Sequence, residues 1–172
     1  MHKKLIVFFT VLSMLFVTGC STQNMPGRIE AKDIVYSFEC KADISYGKDK
    51  MTCLVSRSAA GIASIQLLTG DLNGLTYYWS GENFSISYQG LTAESEQCTL
   101  PKTSFAYILQ QTIDSAEKDS VLVKTHGSEF SGTGEGYDFT LTVDENTGQI
   151  KSITIPKYEI MANLHDYGEL GL

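Results

Sequence analysis

Asp33 to Tyr46 reads DIVYSFECKADISY, and its alternation decides the fold. The even positions hold Ile34, Tyr36, Phe38, Cys40, Ala42, Ile44 and Tyr46; the odd ones hold Asp33, Val35, Ser37, Glu39, Lys41, Asp43 and Ser45. Successive side chains of a strand point to opposite faces. An apolar residue at every second position therefore makes one face buried and the other wet, as in a half-buried antiparallel strand. Gly47-Lys48-Asp49-Lys50 turns the chain into a second run, Met51 to Ser56. Further strand candidates are Ile62 to Thr69, Leu75 to Ser80, Phe84 to Tyr88, Val121 to His126, Tyr137 to Val143, Ile150 to Ile155 and Tyr158 to Leu164. The turn-rich pieces GDLNG, SGEN, SGTGEG and DENTG separate them, and connections this short imply sequential antiparallel pairing.

One segment breaks the period of two. After Leu100-Pro101, the stretch Lys102 to Glu117 sets Phe105, Ile108, Leu109, Ile113 and Ala116 on one helical face. About nine strands of ~7 residues offer roughly 1000 Å² of apolar face, and a helix of this length shadows about a quarter of it. The uncovered remainder favours a sheet that bends round its helix. The expected fold is α+β and β-dominated: a strongly curved antiparallel sheet, or half-open barrel, with one main helix packed across the concave face. Aromatic residues enrich that face, among them Tyr36, Phe38, Tyr77, Trp79, Phe84, Tyr88, Tyr137, Phe139 and Tyr158. They either fill the interior or line a groove.

The segment before this domain reads as a targeting signal. His2-Lys3-Lys4 is a positive start, and Leu5 to Val17 is an apolar run of the length of a signal-peptide core, short of the ~20 residues that span a bilayer. Val17-Thr18-Gly19-Cys20 matches a bacterial lipobox, in which small residues precede a cysteine that is acylated and becomes the new N-terminus. Residues 1–19 are thus expected to be a lipoprotein signal peptide, residues 20–32 an acylated Cys20 with a flexible tether, and residues 33–172 a single domain. Two acyl chains anchor a protein stably, so the expected place is extracytoplasmic, held at the bacterial cell membrane by lipid.

Of 172 residues, 13 are Lys or Arg and 20 are Asp or Glu, a net charge of −7 that becomes −9 once Lys3 and Lys4 leave with the signal. A domain this acidic repels phosphate backbones, which excludes nucleic acid as an expected partner. Two histidines remain, His126 and His165, with no GxSxG or HExxH motif. No enzyme, cofactor or metal site is expected. Gly132 to Gly136 (GTGEG) joins two strand candidates and reads as a flexible hairpin tip, and Asp144 to Gly148 (DENTG) reads as a turn with glycine at a positive φ. With Cys20 acylated, Cys40, Cys53 and Cys98 remain. Cys40 and Cys53 flank the first hairpin and pair only if the register sets them opposite each other; otherwise all three are small buried residues.

Four segments carry a family resemblance: FECKADISYG (38–47), GLTYYWSGENFSISYQGL (74–91), LPKTSFAYILQQTIDSA (100–116) and YDFTLTVDENTGQIKSITIP (137–156). With the acylated cysteine ahead of them, they resemble lipoproteins of the Gram-positive type in the lipoprotein-carrier superfamily of LolA/LolB-like proteins. The resemblance implies an unclosed antiparallel barrel whose apolar cavity holds acyl chains. On that reading Tyr77, Trp79, Phe84, Tyr88 and Phe139 bind a lipid or acyl chain, with Phe105, Ile108 and Leu109 as the covering helix. The alternative is a non-enzymatic adaptor that presents its surface to an envelope or sporulation/germination protein, as relatives of this shape that act through protein partners do.

Overall fold

The computed structural model describes residues 29–118 and 121–168, so the signal segment, Cys20 and most of the tether lie outside the described residues. Among them, eleven strands form one sheet: β1 (Phe38–Tyr46), β2 (Asp49–Ala59), β3 (Ile62–Leu67), β4 (Thr76–Ser80), β5 (Phe84–Tyr88), β6 (Leu91–Ser95), β7 (Val123–His126), β8 (Glu129–Thr133), β9 (Asp138–Val143), β10 (Ile150–Ile155) and β11 (Ile160–Gly168). One α-helix, α1 (Phe105–Glu117), lies between β6 and β7 in sequence. The strand order is β6-β5-β4-β3-β2-β1-β11-β10-β9-β8-β7. Each neighbouring pair is antiparallel. Two meanders therefore meet where the first and last strands pair, which puts β1 in the middle of the sheet. The ends, β6 and β7, do not pair with each other, so the sheet is not closed.

The alternation that predicts β1 sets its burial. Phe38, Cys40, Ala42 and Ile44 are buried, and the residues across from them on β2, Arg57, Val55, Cys53 and Met51, turn to the same face. Gly47, at φ +58°, makes the two-residue turn between β1 and β2, where a side chain would be strained. The helix starts at Phe105 rather than Lys102, because Ser104 caps it: the Ser104 hydroxyl accepts a hydrogen bond from the Tyr107 amide. Its predicted face is buried throughout, at Phe105, Ile108, Leu109, Ile113 and Ala116. These side chains join the inner face of the sheet in one hydrophobic core.

Three departures from the sequence pattern have physical causes. The GTGEG stretch is not all hairpin tip: Gly132 lies inside β8, with the Phe139 ring filling the space a side chain would need. β6 escapes the pattern because its residues are almost all exposed, leaving no apolar run to read. The packed chain also begins before Asp33. Ile29 is buried, and Ala31–Asp33 form a 3-10 turn closed by a hydrogen bond from the Glu30 amide to Asp33 Oδ2.

Candidate functional site

The inner face of the sheet is the side that carries the apolar side chains and α1. On its β4 wing, register pairs Ile65 with Tyr77, Tyr77 with Ile86, and Trp79 with Phe84. β6 continues the same face, Ala93 opposite Ile86 and Leu91 opposite Tyr88. The start of α1 lies over this wing. Phe105 meets Tyr77 edge to face at 6.2 Å between ring centroids, and Tyr46 at 6.5 Å. Trp79 packs on Phe84 at 5.2 Å. Edge-to-face and tilted aromatic contacts of this kind add to what area burial supplies.

Burial falls off steadily across the wing. Ile65 on β3 is buried, Tyr77 and Ile86 are half-buried, and Leu91 on β6 is 78% exposed, the most exposed large hydrophobic among the described residues. The half-buried Tyr88 donates its hydroxyl to the Asp71 carbonyl and holds the strand-end loop. The helix covers the middle of the sheet and leaves an apolar strip, Tyr77–Ile86–Tyr88–Leu91, open beside its N-terminal end.

Of the eight residues singled out from the sequence, Tyr77, Trp79, Phe84 and Phe105 come together here. Tyr88 lies further along the same face, while Ile108 and Leu109 are buried core under the helix. Phe139 sits on the opposite wing, six strands from β4, where it borders a recess of about 340 Å³ with Val121, Val123 and Thr140. Ile86, Leu91 and Ala93 complete the strip and were not singled out. Ile86 lies in the strand candidate Phe84 to Tyr88, where its apolar type does not set it apart from core; Leu91 and Ala93 have only the alternation Leu91-Thr92-Ala93-Glu94 after Gly90, too short to mark a strand.

The C-terminal half of α1 is fixed by charge. Arg57, from the middle of the sheet, is 1% exposed and reaches Asp114 at 2.9 Å and Glu117 at 2.5 Å, and it donates through Nη1 to the Tyr36 carbonyl. Asp114 also accepts from the Gly61 amide and from Gln110 Nε2. Tyr36 donates its hydroxyl to the Ala116 carbonyl, and burial pushes that phenol up to about 12. On the far wing Tyr137 and Thr112 share a hydrogen bond of 3.0 Å. The helix is thus tied to both halves of the sheet.

Cys40 stands opposite Val55 and Cys53 opposite Ala42, so the register keeps the two thiols from facing each other, and all three described cysteines are free. Burial pushes Cys40 and Cys53 up to about 12. Raised values contribute stability that is fully present below pH 9 and lost as pH climbs toward 12. At pH 8 an alkylating reagent is expected to modify Cys98 in the native chain and to reach Cys40 and Cys53 only after denaturation. Prompt native labelling of either buried thiol, read by peptide mass, would contradict the packing. The histidines sit away from this face: His126 is exposed on β7, and His165 Nε2 lies 3.2 Å from Asp43 Oδ2 on the outer face, too poorly aligned for a hydrogen bond. Thr52 gives its hydroxyl to Asp43 rather than to His165, which leaves no activated nucleophile in that cluster.

These features define a helix-on-sheet domain with an open apolar strip. No protein-family model and no curated protein matches the chain. Among solved structures it is similar to the LolA superfamily protein NE2245 from Nitrosomonas europaea, at 11% identity and a TM-score of 0.40, over 77% of this chain and 84% of that one. At that identity and score the likeness bears on neither ligand nor partner.

Proposed function

We propose that this is a bacterial lipoprotein, tethered to the membrane through acylated Cys20, whose domain holds an acyl chain of a lipid or of another lipoprotein against the inner face of β4–β6. The open strip carries the reading, since an apolar surface left uncovered on the face that elsewhere forms the core costs free energy until something apolar covers it. Three strands of five residues span about 14 Å by 17 Å, room for an extended hydrocarbon chain beside the helix.

The contacts of α1 favour a sheet that bends round it. Tyr77 reaches Phe105 and Tyr137 reaches Thr112, positions about 10 Å apart along α1, whereas β4 and β9, which Tyr137 leads into, would stand about 29 Å apart on a flat sheet. The two wings are therefore read as leaning toward α1, giving a trough with its free side at β6. Occupation of the strip needs no rupture of the charge cluster at Arg57, which lies at the other end of the helix.

Trp79, the only tryptophan of the chain, packs beside the strip and reports on it. A polyene fatty acid is expected to quench Trp79 emission on binding. Leu91→Asp and Ile86→Asp are expected to weaken that binding at least about ten-fold, which corresponds to ~1.4 kcal/mol. Thr92→Asp carries the same charge on the outer face and is expected to leave it unchanged. No quenching at saturating probe, or equal losses in Leu91→Asp and Thr92→Asp, would rule out the inner face as the ligand surface.

A further inference from the structure

The two ends of the sheet are built differently. β7 carries the usual defences of an edge strand. It has four residues, its register with β8 slips between Lys124 and His126, and Lys124 turns inward to donate to the Ile29 carbonyl at 2.7 Å and to lie over the Phe130 ring. β6 is one residue longer and lacks both the slip and the inward cation; its one charge, Glu94, lies on the outer face. Its five residues, LTAES, pair with β5 without a slip, contain no Lys, Arg, Pro or Gly, and are exposed at four positions. No strand among the described residues pairs with its outer edge. An undefended edge with one apolar side is a template for another strand.

We propose that β6 is a self-association edge, and that its partner is β6 of a second copy of this chain, paired antiparallel about a two-fold axis through Ala93. The sequence of the strand fits itself in that register. Ala93 faces the partner's Ala93 across the axis. On the outer face Thr92 stands opposite the partner's Glu94, so the carboxylates are never directly across from each other, the arrangement that destabilises a strand pair. On the inner face Leu91 stands opposite the partner's Ser95, a position that β5 backs with Phe84. The exposed leucine thereby covers the partner's apolar wing, and the two open strips join into one continuous face. The strip is incomplete at β6 in a single chain, and the second copy completes it.

The edge is small. Five paired residues make an edge only about 17 Å long, too small to bury the roughly 800 Å² per partner of a standard interface, so the pair is weak in dilute solution and forms where copies are concentrated. A lipid anchor that confines the chains to one surface would supply that concentration, and to this extent the inference leans on the membrane reading.

Cysteine crosslinking tests the register. In the full-length chain with Cys98→Ser, Ala93→Cys places two thiols directly across the axis, at a Cα separation of about 5 Å, whereas Leu91→Cys places them about 14 Å apart. After mild oxidation of whichever cell fraction carries the chain, Ala93→Cys is expected to form covalent dimer about ten-fold faster than Leu91→Cys, because only the first geometry admits a disulfide. A dimer at equal rates from both variants, or none from Ala93→Cys with the chain intact and membrane-bound, overturns the proposal. Bound lipid is measured separately. A dimer without lipid would sink the ligand reading and leave this one, and lipid without a dimer would do the reverse.

Discussion

Arg57→Ala is expected to destabilise the domain by about 3–5 kcal/mol and to lower its melting temperature by roughly 10 °C. The size follows from burial. The guanidinium is 1% exposed, and its partners Asp114 and Glu117 are 14% and 37% exposed. Removing the cation leaves the mostly buried Asp114 carboxylate with only the neutral Gly61 amide and Gln110 Nε2 as donors, orphans the Tyr36 carbonyl and opens a cavity the length of an arginine side chain. Arg57→Lys is expected to recover part of the loss, because one ammonium cannot reach Asp114, Glu117 and the Tyr36 carbonyl together. Replacing Asp114 as well is not expected to rescue Arg57→Ala, since the Gly61 amide and Gln110 would lose their acceptor. Denaturant unfolding at neutral pH gives the numbers, and a loss below about 1 kcal/mol would mean that the cluster behaves as a surface ion pair.

Gly148→Ala is expected to cost about 3 kcal/mol, or to release the segment before β1 while the sheet survives. Gly148 closes the turn between β9 and β10 at φ +73°, and its carbonyl accepts the Val35 amide at 2.9 Å. A β-carbon there would lie far inside van der Waals contact distance of the Asp33 carbonyl oxygen, backbone that cannot move aside without lifting the Ala31–Asp33 turn. Gly90→Ala is the matched control. Its φ is +82° with nothing near the added carbon, so it carries the backbone strain alone, about 1–2 kcal/mol. Unfolding curves and tryptic cleavage at Lys32 separate global from local loss. Gly148→Ala behaving like Gly90→Ala would show that the segment from Ile29 to Val35 is not docked as described.

The parts of this fold that the sequence makes legible are those that bury one face against water. β1 is readable because its alternation runs unbroken, and the helix because Phe105, Ile108, Leu109, Ile113 and Ala116 recur with its period and all reach the core. β6 and β8 are not readable, for opposite reasons. β6 buries almost nothing, and β8 hides a strand inside a glycine-rich string whose Gly132 is explained only by a ring seven residues away. The site divides in the same way. The aromatic residues Tyr77, Trp79, Phe84 and Phe105 announce themselves by type, but type cannot separate the buried Ile108 and Leu109 from the open strip. Ile86 and Leu91 join the strip only through the register of β5 on β4 and β6. Arg57, an isolated cation in a strand, gives no sign in the sequence that two carboxylates from a distant helix surround it.

The account rests on the inner face of β4–β6 being a place for a hydrocarbon chain, and native mass spectrometry of the full-length protein released from membranes in mild detergent examines it most directly. The expected spectrum shows the processed, acylated chain together with an adduct of one further acyl-bearing molecule, lost on collisional activation and absent from Leu91→Asp. A spectrum containing the acylated chain alone, identical for the wild type and Leu91→Asp, would contradict it.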